Sequence, residues 1–319
     1  MAVNLLVILW GAWVRASGSG AGCGDHWPLC NGEIIPLSPT IETITEFTHR
    51  VTSGFALLMV IGLVVGAVRT FPRRHRVRGA AWLALVLIVI EALIGAGLVK
   101  FELVADNASM ARALTLGAHL VNTQFLLGAI GLTAWWAGGR PPIYVGALGS
   151  RGWLLVLGTL GLLAVGLTGA VASLGDTLFP ARTLREGIAQ DFDPTSHLLL
   201  RLRILHPAIA LGTGMLIGWI GLVAAGWLGG SRRSGVESRG DPAARGRATA
   251  ARAGRIVAAL VGLQWTIGLV SLALLVPTAL LLLHLITADL LWLAWVLFAA
   301  ILLEDRTTDD GGRRMEDGG

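Results

Sequence analysis

The sequence predicts an all-α integral membrane protein, with eight transmembrane helices arranged as two parallel-repeat four-helix bundles. Three observations predict it. Of the 319 residues, 54% are hydrophobic and 14% charged, and the mean hydropathy is +0.71, far from the balance of a soluble domain. The apolar residues fall into runs of spanning length, separated by short polar or arginine-rich segments. Finally, histidines recur at a nearly constant step: 157 positions separate His49 from His206, and 165 separate His119 from His284.

In chain order the runs cover 2–14, 51–68, 79–99, 113–139, 152–175, 204–230 and 256–303. A span needs about 20 apolar residues, so the last run holds two helices and divides at Pro277, which cannot continue a helix. The first run is the shortest. The chain before Arg15 makes about 21 Å of helix against a hydrocarbon core of about 30 Å, so this helix is expected to be tilted or clipped. A cleaved signal peptide is the rival reading: the small residues from Ala16 to Gly22 suit a cleavage region, although no basic segment precedes the run.

Arginines set the orientation. Arg69, Arg73, Arg74, Arg76 and Arg78 follow the second span, and Arg232, Arg233, Arg239, Arg245, Arg247, Arg252 and Arg255 follow the sixth. Both loops are therefore expected in the cytoplasm, with both termini, which makes this a multi-pass protein of the cell membrane. Segments 15–46, 100–112 and 174–203 then lie outside. The pI of 10.4 comes mostly from these anchoring arginines, which argues against a nucleic-acid partner. The expected organisation is a first half at 1–138, a cytoplasmic linker at 139–151, and a second half at 152–303 with a flexible Gly/Ser/Arg loop at 231–255. A disordered tail rich in Asp, Arg and Gly follows at 304–319.

The repeat extends beyond the histidines. Gly11-Ala12-Trp13-Val14 with Ser17 is answered by Gly169-Ala170-Val171 with Ser173. His119-Leu120-Val121-Asn122-Thr123 is answered by His284-Leu285-Ile286-Thr287-Ala288, and Glu91 and Gly95 match Gln264 and Gly268 in spacing. A four-helix unit crosses an even number of times, so its copy re-enters with the same orientation.

His49, His119, His206 and His284 all fall near the outer starts of even-numbered spans, at similar depth. An ionisable group in lipid is costly and faces the bundle interior. A lone histidine there most simply bonds a neighbouring helix, but four at repeated positions point to metal ligation. Neutral imidazoles on facing helices can sandwich a haem iron, giving one haem per half. His26, His75 and His197 lie in loops and are not assigned to metal.

The halves differ. Glu46 lies one helical turn before His49, whereas Arg203 lies one turn before His206. A buried carboxylate there moves protons or stabilises positive charge, and the plainer alternative is a solvated surface acid. Arg15, Arg50 and Arg203 are either partners of haem propionates or interface anchors. Cys23 and Cys30, the two cysteines, share the first outer loop. A disulfide is permitted there, with a redox role competing against simple stapling.

These residues resemble the haem A synthases of the Cox15/CtaA type. The resemblance is carried by Gly18-Ser19-Gly20 leading to Cys23, by Trp27-Pro28-Leu29-Cys30 and by Glu46-Phe47-Thr48-His49-Arg50. His119-Leu120-Val121-Asn122, Leu205-His206-Pro207 and His284-Leu285 extend it over essentially the whole chain. It implies an eight-helix enzyme that oxidises a methyl group of haem O to the formyl group of haem A for cytochrome oxidase. By that resemblance His49 and His119 ligate the substrate haem O, Glu46 is the catalytic carboxylate, and His206 and His284 hold an electron-relaying haem b. Cys23 and Cys30 match a pair linked to activity or haem handling, and Arg50 and Arg203 are assigned to cofactor binding. The implied partners are the lipid bilayer, haem O and the haem O synthase that supplies it, with a homo-oligomer also compatible; no motif identifies the electron acceptor. The short first helix and the lack of cysteines in the second outer loop depart from the pattern. Two rival functions use the same ligands: a di-haem b-type membrane electron-transfer protein, and a haem-carrying oxidase assembly factor.

Overall fold

A computed structural model describes residues 1–143, 152–226 and 242–304. Among the described residues there are no strands, only two isolated bridges, one 3-10 turn at Ser19–Ala21 and ten α-helices. These are α1 (Ala2–Ala16), α2 (Ile41–Thr70), α3 (Arg76–Lys100), α4 (Met110–Ala137), α5 (Gly152–Leu178), α6 (Leu184–Phe192), α7 (Leu198–Arg203), α8 (Leu205–Ala224), α9 (Pro242–Ala273) and α10 (Thr278–Leu302). Seven stretches are long and apolar enough to cross a membrane, counting α7 and α8 as one; α1, at 15 residues, is the shorter apolar helix. The protein is thus an all-helical, multi-pass membrane protein.

Helix ends follow local chemistry. Thr40 and Ser109 cap α2 and α4 by accepting from the N–H groups of Thr43 and Arg112, each at 3.2 Å. Pro277 stands at the N-cap of α10, so the last apolar run divides where the sequence predicts. Pro207 has a second effect. It cannot donate to the Arg203 carbonyl and its ring crowds that group, so helix α7 stops at Arg203 and α8 begins at Leu205. Arg50 occupies the matching place in the first half, and α2 runs unbroken for 30 residues.

One expectation is corrected. Helix α9 begins at Pro242, well before Ile256, so the later part of the expected flexible loop at 231–255 is helical. A proline at the first helical position followed by alanines and arginines favours helix, and this outweighs the loop-like arginine content. The rest of that loop at 227–241, the linker residues 144–151 and the tail at 305–319 lie outside the described residues.

The contacts repeat. Helix α1 packs on α2, α2 on α3 and α3 on α4; likewise α5 packs on α8, α8 on α9 and α9 on α10. The two sets meet chiefly through α4 with α5, α4 with α10 and α1 with α10. Lipid offers no hydrophobic drive between helices, so close packing and internal hydrogen bonds must hold this junction. Its core is aromatic: Trp295 and Phe298 are wholly buried with Leu127 and Ile217. Trp292 Nε1 donates to the Gln124 carbonyl at 2.5 Å and Trp295 Nε1 donates to Thr159 Oγ1 at 3.0 Å. Outward faces are apolar instead, with Leu58, Leu93, Leu160 and Leu269 each more than half exposed, as lipid contact demands.

Gly158 has no room for a side chain, because a Cβ would lie 2.5 Å from the Trp295 ring and 2.9 Å from Ile217. Gly158→Val is therefore expected to destabilise the junction by about 1–3 kcal/mol. Gly62→Ala, at a site with nothing within 4 Å, should be neutral or slightly stabilising. Unfolding in mixed detergent micelles, followed by circular dichroism, checks both.

Candidate functional site

The four histidines converge at one end of the bundle, each against a glycine or polar partner of a neighbouring helix. A Cβ on Gly11 would lie 2.9 Å from His49 Cε1, one on Gly169 3.1 Å from His206 Cε1, and one on Gly268 3.2 Å from His284 Cε1. These glycines let the helices approach and leave each ring packed against bare backbone.

Polar neighbours hold the rings in place. Glu91 Oε1 lies 3.0 Å from His119 Nδ1. Glu91 is itself held by Asn122 Nδ2, at 2.5 Å, and by Thr123 Oγ1. In the second half Gln264 takes the matching place. Its Nε2 lies 3.1 Å from His284 Nε2 and donates to the His284 carbonyl at 3.1 Å, while its Oε1 accepts from Thr287 Oγ1 at 2.6 Å. Thr168 Oγ1 is 3.5 Å from His206 Nδ1. An outer partner of this kind orients a ligating imidazole, and a carboxylate also raises its basicity. His119 thus has a carboxylate beside its ring where His284 has an amide.

The second pair is brought together directly, its ring centroids 6.3 Å apart. An iron bonded to two imidazoles at about 2 Å each sets ring centres at roughly this separation. His49 and His119 lie close enough to interact electrostatically. Nδ1 of His49, His119 and His284 is buried without an aligned hydrogen bond. Among the described residues no three His, Cys, Asp or Glu side chains form a metal-binding group. The four nitrogens of a porphyrin would complete the coordination of an iron held by two such imidazoles. The donor set fits a haem.

Glu46 is buried, at 3% exposure, so it is not a solvated surface acid. Its Oε2 accepts from the Cys23 N–H at 2.8 Å, and its Oε1 accepts from Arg50 Nη2 at 2.5 Å and Nε at 3.1 Å. Arg50 Nη1 also donates to the carbonyls of His26 and Leu29, at 2.7 and 2.6 Å. Cys23 and Cys30 form a disulfide, and both are buried. Gly22 lets this loop lie on α2, since a Cβ there would overlap the Glu42 carbonyl, and its own carbonyl accepts from Thr43 Oγ1 at 2.8 Å. The carboxylate, the arginine and the disulfide loop are one unit sitting over the start of α2.

Arg203 is engaged quite differently from Glu46, whose place it takes in the repeat. Its Nη1 donates to Asp176 at 2.6 Å, its Nε to Asp191 at 2.7 Å and its Nη2 to the Gly187 carbonyl at 2.9 Å. This pins α6 onto the ends of α5 and α7. Both arginines assigned to cofactor binding are thus bonded to protein groups, Arg50 to the loop and Arg203 to two aspartates.

Several residues of the site were not singled out from sequence. Glu91 and Gln264 served there only as repeat markers, yet Glu91 is the sole acid of its span, which is a signal in itself. Asp289 is the sole charged residue of α10 and is buried with Oδ2 unpartnered. It stands five residues after His284, as Gln124 stands five after His119, and Gln124 Oε1 is likewise buried and unpartnered.

Arg50→Ala would release two loop carbonyls and leave Glu46 buried without its counter-charge, a change of the order of 3–5 kcal/mol. Reduction of Cys23–Cys30 by a water-soluble phosphine is then expected at least about tenfold faster. Thiol labelling over time measures it, and an unchanged rate would show that the loop is held without Arg50.

Comparison with known proteins places this geometry in context. Residues 1–296 match the COX15-CtaA family, described as cytochrome oxidase assembly protein. The chain is 44% identical over 313 residues to a protein of Thermus thermophilus named protoheme IX farnesyltransferase, an alignment covering 98% of this chain and 48% of that protein. It is 44% identical over 97 residues to the heme A synthase of Alkalihalophilus pseudofirmus, covering 30% of this chain and 33% of the relative. It is 35% identical over 153 residues to that of Halalkalibacterium halodurans, covering 48% and 50%. The matched stretches thus span about half of these relatives' lengths or less. The chain belongs to the COX15-CtaA family of cytochrome oxidase assembly proteins.

Proposed function

We propose that this protein is a haem A synthase, which oxidises a methyl group of haem O to the formyl group of haem A. The observation that carries this reading is the unequal outfitting of two otherwise repeated histidine pairs. One pair has a buried carboxylate, Glu46, one turn away and tied to a disulfide loop; the other has an arginine locked between two aspartates. A protein that only relayed electrons or carried haem would need the four histidines but not this difference.

In this reading His49 and His119 hold haem O as substrate, and His206 and His284 would hold a haem b, which would supply a one-electron carrier between the substrate and an external acceptor. Converting the methyl to a formyl group removes four electrons and four protons overall and takes its oxygen from one water molecule. Glu46 accepts protons near the reacting edge, and Arg50 holds its carboxylate in place through two hydrogen bonds. The bundle excludes bulk water and fixes the orientation of a large planar substrate, which converts positioning into rate. Two histidine ligands leave no open position at the substrate iron, which favours electron removal at the ring edge over oxygen binding there. Isotope labelling tests this point: label from water, not from oxygen gas, is expected in the formyl group.

The partner proposed upstream is the enzyme that attaches the farnesyl chain to protohaem. Support comes from the Thermus protein, which bears a farnesyltransferase name and aligns with this chain over only about half its length. We also propose that both termini face the cytoplasm and that the cysteine loop faces outward, from the arginine-rich loop at 69–78.

Co-expression with a haem O source tests the activity. Extracted haem should include haem A with the wild-type chain. With Glu46→Ala, haem O should remain bound and unconverted, with at least about a hundredfold loss of rate. Unconverted haem O with the wild-type chain would favour the carrier or relay. His206→Ala should remove one of two haems from the absorption spectrum while leaving haem O bound at the other pair. Single cysteines placed at Ser38 and Arg74 in a cysteine-free background should label from opposite faces of the membrane.

A further inference from the structure

Two arginines at the histidine end have no carboxylate bonded to them among the described residues. Arg112 is 4% exposed, and its Nη1 donates to the carbonyls of Ala105 and Asn107 at 2.5 and 3.0 Å. Arg15 donates through Nη2 to Ser173 Oγ at 2.8 Å, reaching across from the first half to the second. In each, Nε is buried and without a hydrogen-bond partner. The two guanidinium groups lie close enough to repel one another, and Asp106 acts on Arg112 only through space. Two neighbouring like charges, Arg112 buried and Arg15 half-buried, each with a buried Nε donor unused, are costly unless an anion completes them.

Helical register says where that anion lies. Gly11 packs on His49, and Arg15 follows it by four residues, one turn nearer the cysteine-bearing end. Arg112 precedes His119 by seven residues, two turns nearer that end on the same face. Both cations therefore overhang the first histidine pair. The repeat removes them from the second: counted from the Gly11–Gly169 match Arg15 falls opposite Ser173, and counted from the His119–His284 match Arg112 falls opposite Pro277. With Arg50 and Arg203 bonded elsewhere, Arg15 and Arg112 are the described arginines of this end that keep buried donors free.

We propose that Arg15 and Arg112 form a two-carboxylate site that grips both propionates of the porphyrin held by His49 and His119. The proposal rests on the haem reading above and deepens it. A guanidinium matches a carboxylate with paired N–H donors, and two of them match the two propionates of one edge. The methyl group that becomes the formyl group of haem A neighbours a propionate on the ring. A porphyrin anchored by that edge presents this methyl near the level of Glu46, itself one turn from His49 toward the same end. Two of the ring's four methyl groups flank the propionates, so the arginine pair restricts oxidation to those two.

The test uses full-length chain carrying His206→Ala, so that the first pair alone binds, prepared free of haem in detergent. It is titrated with iron protoporphyrin IX and with its dimethyl ester, whose propionates carry no charge. The free-acid form should bind about a hundredfold more tightly than the ester, at about tenfold per arginine. Arg15→Gln with Arg112→Gln should abolish that preference and leave ester binding unchanged, which also shows that the site is still folded. Equal loss for both porphyrins, or a preference that survives the double substitution, overturns the arginine assignment. Binding of the free acid that persists in full after His49→Ala and His119→Ala would instead strike down the haem reading itself.

Discussion

A polar group inside a lipid-surrounded bundle must find its partner within the protein, and the arrangement of this chain follows from that constraint. The four histidines, Glu46, Glu91, Gln264 and the unpaired arginines are gathered into one interior layer at a single end. Bare glycine surfaces at Gly11, Gly169 and Gly268 bring the helices close enough to enclose it. Below it the junction is closed by Trp292, Trp295 and Phe298, all buried in one apolar cluster. Rigidity beneath and polarity above are complementary: the aromatic layer holds four helices in register so that side chains on different helices can meet a planar ligand.

Duplication supplies the frame, and departures from it supply the chemistry. Each half offers a pair of imidazoles. The first then adds a carboxylate behind His119, a carboxylate before His49, a disulfide loop over both, and two cations at the rim. The second replaces these with an amide at Gln264, a neutralised Arg203, a hydroxyl at Ser173 and Pro277. Acidic partners make an imidazole a stronger donor and give protons a destination, whereas neutral partners leave a site suited to passing electrons. In the proposed reading this division makes one half reactive and the other a relay.

The loop bearing Cys23 and Cys30 shows how closely positioning and chemistry are joined. Glu46 is at once the candidate proton acceptor and the acceptor for the Cys23 N–H, so the disulfide loop and the carboxylate are tied by a direct hydrogen bond. Arg50 reinforces the link by bonding the carboxylate and two loop carbonyls together.

Sequence alone determined the membrane-embedded helical class, the break at Pro277, and the repeated spacing of the four histidines with Glu46 one turn before the first. Each of these is written in local composition or in spacing along one chain. It could not show that residues 242–255 continue a helix, because arginine-rich segments look alike as loops and as helix starts. Nor could it tell which of several arginines near the histidines lack a carboxylate partner. Arg50 and Arg203 are taken up by Glu46, Asp176, Asp191 and backbone carbonyls, while Arg15 and Arg112 keep buried donors, and only the packing of separate helices decides this. Burial and pairing are properties of contacts between distant segments, such as Arg15 with Ser173 or Trp292 with Gln124. No periodicity within a single helix encodes them.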